Sequence, residues 1–257
     1  MKNMSKDRVK INRYNVLIIL VIIIGICVLG ILENNFFEII NKNNNLKQLL
    51  KYEYWIKSLF KVSIFLIIYL LCEKIVKQNN LVVKNIYKIK ENIMEKQKTK
   101  YLRLNYSRLF LLQLVIVILS ILGYMLSLKF VSIDNIREGS ISKNITKSNY
   151  IYVYTYIILF NSLFEELFFR GYIYLKLSNI FKYSSIISAI FFSIYHIAIL
   201  YRFVVWYQII LLVIVLFIVG LFFNVLDKES NTIIPSYLIH ASANFSINLV
   251  TALLIFF

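Results

Sequence analysis

The chain has 257 residues, of which 60 % are hydrophobic and 16 % aromatic, with a single proline and a mean hydropathy of +0.71. Soluble domains hold roughly 45–50 % apolar residues, so the composition excludes a soluble globular protein. The 29 Lys and Arg against 13 Asp and Glu leave a formal charge of +16, but the basic residues gather beside apolar runs. There they meet anionic lipid head groups, and no nucleic-acid partner is expected.

The first apolar run, "YNVLIILVIIIGICVLGIL", follows Lys2, Lys6, Arg8, Lys10 and Arg13. It is longer than a signal-peptide core and has no small-x-small cleavage site after it, so it reads as a retained anchor. Cys27 and Cys72 each lie inside an apolar run, which indicates neither a disulfide framework nor a thiolate metal cluster. Ile26 stands before Cys27 where a lipidation site would need a small residue. Abundant Ile, Lys and Asn are the signature of an AT-rich genome, and a bacterial cell membrane is the expected location.

About 20 residues per crossing predicts about seven transmembrane helices, near 14–32, 55–72, 109–128, 150–176, 183–201, 203–226 and 233–257. In the second of these, Lys57 and Lys61 fall in the first two turns and are expected to snorkel outward. The N-terminal segment and the loop 73–108 are the strongly basic regions, which places both in the cytoplasm. Within that loop Val82, Ile86, Ile89 and Ile93 recur at helical spacing among lysines, the pattern of a basic amphipathic helix on the membrane surface or of a solvated linker.

Short connections at 177–182, 202 and 227–232 make the last four spans a compact four-helix bundle. The chain therefore divides into an N-terminal membrane region, 1–149, and a bundle, 150–257.

A charge at mid-membrane costs from ~2.5 to over ~10 kcal/mol, so an intramembrane ionisable residue is a functional signal by default. Away from the connections, the bundle's charged residues are Glu165, Glu166 and Arg170, and the chain's two histidines, His196 and His240, lie in later spans. With a rise of 1.5 Å per residue, Glu165, His196 and His240 lie roughly 16, 21 and 18 Å above Lys176, Lys182 and Lys228, so one layer of the bundle can hold all three. Glu166 and Arg170 are i,i+4 and form a candidate ion pair. Phe192 and His196, and His240 and Asn244, share the same spacing.

In order along successive helices, "EELFFR" is E-E-x-x-x-R, "FSIYH" is F-x-x-x-H and "HASAN" is H-x-x-x-N. Together they resemble the motifs of the CAAX-protease and bacteriocin-processing (CPBP, or Abi) family of intramembrane endopeptidases. The resemblance covers roughly residues 150–250.

It implies hydrolysis of a peptide bond in a membrane-associated peptide or protein. Glu165 and His196 would activate a water, and His240 and Asn244 would stabilise the oxyanion. Glu166 and Arg170 are read as a supporting pair, with a direct role for Glu166 left open, and Phe192 as packing. Glu165, His196 and His240 are also a candidate zinc ligand set, although the chain lacks H-E-x-x-H.

Two other classes compete with a protease. A non-catalytic scaffold regulating a partner membrane protein would be marked by loss of Glu165, His196 or His240. A proton-coupled transporter would show paired, Gly/Pro-interrupted helices; this chain shows neither mark.

Overall fold

The computed structural model describes residues 14–31, 53–78, 106–179, 183–200 and 204–257. No strand occurs among the described residues, as expected for an all-α membrane protein, because backbone groups in hydrocarbon must find their hydrogen bonds within the helix. The amphipathic pattern of Val82 to Ile93 lies outside the described residues.

The helices are α1 (Tyr14–Ile31), α2 (Glu53–Gln78), α3 (Tyr106–Ser127), α4 (Ile133–Ser142), α5 (Tyr150–Lys176), α6 (Ser184–Leu200), α7 (Trp206–Ser230) and α8 (Ile234–Phe256). Five of them, α1, α3, α5, α7 and α8, are long and apolar enough to cross a membrane. The other two of the seven expected spans correspond to α2, which carries Lys57, Lys61, Glu73, Lys74 and Lys77, and to α6, a shorter apolar helix. Among the described residues, five helices thus meet the length and composition of a crossing, where seven are expected.

Short polar α4 is set off by its cap, in which Ser132 Oγ accepts a hydrogen bond from Asn135 N at 3.1 Å. Helix α8 starts at Ile234 with Pro235 in its first turn, where a missing N–H costs nothing.

α5 is not a uniform α-helix. α-Helical turns at Tyr150–Thr155 and Ser162–Glu166 alternate with π-helical turns at Tyr156–Asn161 and Leu167–Lys176. In a π turn each N–H reaches five residues back, and Ser162 Oγ follows the same spacing by donating to the Ile157 carbonyl at 3.2 Å. A π turn also rises less per residue than an α turn, so Glu165 lies closer to Lys176 along the axis than uniform α geometry implies.

α2 and α5 run parallel, and their contacts advance together along both helices. Tyr54 meets Tyr156, Lys61 meets Glu165, Phe65 stacks on Phe168 at 4.0 Å, Tyr69 meets Tyr172, and Glu73 pairs with Lys176 at 3.0 Å. One buried apolar cluster joins Ile18, Ile22 and Leu29 of α1, Phe65 and Ile68 of α2, Phe168 and Phe169 of α5, and Phe192 and Tyr195 of α6. Apolar helices gain nothing by hiding from lipid tails, so such contacts hold by close packing and polar links.

Small residues permit that approach. A Cβ on Gly220 of α7 would lie 3.1 Å from Ala189 of α6 and 3.5 Å from Arg170 Nη2. Beside it, Asn224 Nδ2 donates to the Ser185 carbonyl at 2.8 Å. On the far side of the bundle, Gln113 of α3 donates to Ser242 of α8 at 3.1 Å.

Candidate active site

The α-helical turn between the two π segments of α5 presents Glu165 and Glu166, and both are buried. Adjacent positions on a helix diverge by about 100°, so the two carboxylates serve different neighbours.

Glu166 Oε1 accepts from Arg170 Nη1 at 3.1 Å and from His240 Nδ1 at 2.7 Å. Arg170 is fully buried and its guanidinium lies over Phe192, with Cζ 3.9 Å from the ring centroid and 5.0 Å from that of Phe223. The expected ion pair therefore forms, and Phe192 is part of its packing. The Phe192 ring also contacts both imidazoles, 4.4 Å from His196 and 5.9 Å from His240.

Glu165 uses its two oxygens differently. Oε1 accepts from Asn161 Nδ2 at 2.7 Å and lies 3.4 Å from Lys61 Nζ. Among the described residues Oε2 has no hydrogen-bond partner, and it faces His196 Nε2 at 3.7 Å and His240 Nε2 at 3.9 Å. Glu165, His196 and His240, separated by up to 75 positions in the chain, thus converge on one point.

The tautomers of both histidines follow from their other nitrogens. His196 Nδ1 lies 2.7 Å from the Phe192 carbonyl, which can only accept, so Nδ1 carries the proton. His240 Nδ1 meets a carboxylate oxygen that already accepts from Arg170, so it too donates. A neutral imidazole donating from Nδ1 presents a lone pair at Nε2. Three acceptors therefore converge at Glu165 Oε2 and the two Nε2 atoms, an arrangement suited to a group that brings hydrogens with it, such as water.

The same three atoms are the expected zinc ligands. Bond lengths of about 2.0–2.1 Å in a tetrahedron put donor atoms only about 3.3 Å apart, whereas Glu165 Oε2 stands 3.7 and 3.9 Å from its two neighbours. Among the described residues no group of His, Cys, Asp or Glu has the geometry of a metal site. Lys61 also places an ammonium against the carboxylate that would bind the dication. As arranged, Glu165 Oε2 stands farther from both histidines than one zinc ligand stands from another.

Asn244 lies one turn beyond His240 on α8, and its Nδ2 donates to Ser162 Oγ at 2.9 Å. An amide carries two N–H bonds, so one donor is left for another acceptor.

Three residues of this region were not expected in it. Lys61 does not snorkel outward; only 3 % of its side chain is exposed, and its ammonium hydrogen-bonds Asn161 and lies 5.0 Å from the Tyr195 ring. The alternative to snorkelling is a buried counterion, and Glu165 supplies one. Asn161 is i−4 to Glu165, a spacing visible in the sequence. Asp227, counted there as connection, is buried within α7, where its carboxylate accepts from Ser236 N at 3.1 Å and Ser236 Oγ at 2.7 Å. It thereby caps α8 one turn before His240.

Residues 147–246 match the family described as Type II CAAX prenyl endopeptidase Rce1-like. No curated protein and no solved structure matches the chain. The matched stretch contains Glu165, Glu166, Arg170, His196, His240 and Asn244, and leaves Lys61 outside.

Proposed function

We propose, from the match of residues 147–246 to the Type II CAAX prenyl endopeptidase Rce1-like family, that the chain is a membrane-embedded endopeptidase that cuts a membrane-associated peptide or protein with a water activated by Glu165. The observation that carries this reading is the convergence of Glu165 Oε2, His196 Nε2 and His240 Nε2. A base and its partners within one water of a reacting group are what general base catalysis requires.

In the reaction, a water held at these atoms gives a proton to Glu165 Oε2 as its oxygen bonds to the scissile carbonyl carbon. His196, fixed by the Phe192 carbonyl, orients the water through its Nε2 lone pair. The carbonyl becomes an oxyanion, which takes a hydrogen bond from the Asn244 N–H not used by Ser162, and His240 adds a second once its Nε2 lone pair has taken up a proton from solvent, which it returns when the oxyanion collapses. Glu165 then passes its proton to the amide nitrogen, the C–N bond breaks, and a carboxylic acid and an amine leave. Glu166 and Arg170 keep His240 in place and take no part in bond making.

Maturation of a peptide pheromone or bacteriocin, or self-immunity against one, are the roles that suit a bacterial membrane. The test compares the membrane and secreted peptides of the native host carrying wild-type protein with those carrying Glu165→Gln at matched expression. The proposal expects cleavage products to vanish and uncut precursors to accumulate. An unchanged peptide profile, with the mutant rescuing a deletion phenotype, would favour the scaffold reading and overturn this one.

A further inference from the structure

The catalytic reading leaves one buried charge of the site unexplained. Glu165 and Glu166 are adjacent buried carboxylates, and Arg170 is engaged with Glu166. Glu165 needs a cation of its own, and Lys61 stands 3.4 Å from its Oε1.

We propose that Lys61, on a helix outside the family-matched region, is a positioning residue of the site that holds Glu165 by Oε1 and so aims Oε2 at His196 and His240. This inference rests on the protease reading.

Three observations support it. Lys61 and Glu165 occupy one rung of the α2–α5 ladder, with Tyr54 on Tyr156 before it and Phe65 on Phe168 after it, so the register of two packed helices fixes the approach. Asn161 closes a triangle, donating to Glu165 Oε1 through Nδ2 while its Oδ1 accepts from Lys61. The carboxylate is thereby gripped at one oxygen by an ammonium and an amide. A carboxylate gripped at one end cannot rotate its other oxygen away from the histidines without breaking two charge-assisted bonds.

The ammonium is itself held. Its side chain is 3 % exposed, and the Tyr195 ring lies 5.0 Å from Nζ, next in sequence to His196. Lys61 thus also touches α6, the helix that carries His196. It completes, from the N-terminal region, a site whose other residues come from 147–246.

The test uses the full chain in vesicles of phosphatidylethanolamine and phosphatidylglycerol. Its probe is an internally quenched peptide carrying the cleavage sequence of the precursor that accumulates with Glu165→Gln. Lys61→Met is expected to lower kcat by about 10²-fold, the cost of misplacing a catalytic group by about 1 Å, with KM changed less than about two-fold. Lys61→Gln, which keeps a donor for Asn161, covers the case in which Lys61→Met does not fold, and the same split is expected of it.

Thermal unfolding of the detergent-solubilised chain supplies a readout independent of activity. Lys61→Met should unfold at a lower temperature than Lys61→Met/Glu165→Gln, because only the single variant strands a buried carboxylate. Wild-type kcat in a folded Lys61 variant, or strictly additive shifts in the unfolding cycle, would overturn the proposal. Cleavage by Glu165→Gln at the wild-type rate would instead sink the protease reading, and the unfolding cycle would still decide whether Lys61 and Glu165 are coupled.

Discussion

His240 hangs from Glu166 and not from Glu165: its Nδ1 is 2.7 Å from Glu166 Oε1, while its Nε2 stands 3.9 Å from Glu165 Oε2. The adjacent carboxylates therefore divide the work. Glu166 fixes a histidine and an arginine, and Glu165 keeps one oxygen facing the reacting position.

That division separates two phenotypes. Glu166→Gln leaves the Arg170 guanidinium buried without its counterion, and breaking a buried pair in this way costs about 3–5 kcal/mol. Thermal unfolding in detergent should show a large drop, and cleavage should fall because His240 is no longer held. An unfolding temperature equal to that of wild type would show that the pair does not organise the helices.

Arg170 should not tolerate lysine. Its planar guanidinium lies on Phe192 at 3.9 Å and near Phe223 at 5.0 Å while Nη1 reaches Glu166. A lysine ammonium can satisfy the carboxylate but cannot stack on both rings. Arg170→Lys is expected to lose about 1–2 kcal/mol, the worth of a desolvated cation–π contact. A denaturation midpoint unchanged from wild type would count against the stacking.

Gly220 marks the closest approach of α7 to α6 and to the same arginine. With a Cβ already 3.1 Å from Ala189, Gly220→Val adds branches that have nowhere to go. Overpacking of this kind costs about 1–3 kcal/mol, and here it would also displace Arg170. Gly220→Ala, by contrast, requires its neighbours to move by only a few tenths of an ångström. The ranking of wild type, Ala and Val by unfolding temperature checks the contact; a Val variant as stable as the Ala variant would refute it.

The site was legible in the sequence wherever an ionisable residue interrupts an apolar run. Glu165, Glu166 and Arg170 stand out because lipid tolerates few charges, and His196 and His240 because the chain has no other histidines. Uniform helical rise put the three in one layer, although the π turns of α5 shorten the step from Glu165 to Lys176. Lys61 was hidden because the apolar residues of α2 are spread evenly around the helix, so hydropathy shows no buried stripe. Its register with Ser58, Phe65, Ile68 and Cys72, all buried at helical spacing, is the signal that places it inward. Asp227 was missed because it adjoins Lys228 and Glu229, which made a helix end look like a loop. The π turns of α5 have no counterpart in side-chain pattern, since a backbone hydrogen-bond shift leaves the order of residues unchanged.

The donor set Glu165, His196 and His240 is the composition of a catalytic zinc site, so composition alone does not decide the matter. Geometry and charge distinguish the cases. The distances from Glu165 Oε2 to the two Nε2 atoms exceed those of ligands closed on one small ion, and the carboxylate is already paired with Lys61. A dication there would stand against an ammonium held in place by Asn161 and by the packing of α2 on α5. Cleavage by the purified chain in vesicles should therefore survive dialysis against 1,10-phenanthroline, and elemental analysis should find well under one zinc per chain. Stoichiometric zinc, with activity lost to the chelator and regained on adding the ion, would show that the histidines close around a metal. In that case Lys61 would have to withdraw from Glu165, and the same measurements on Lys61→Met would then show tighter zinc binding than wild type.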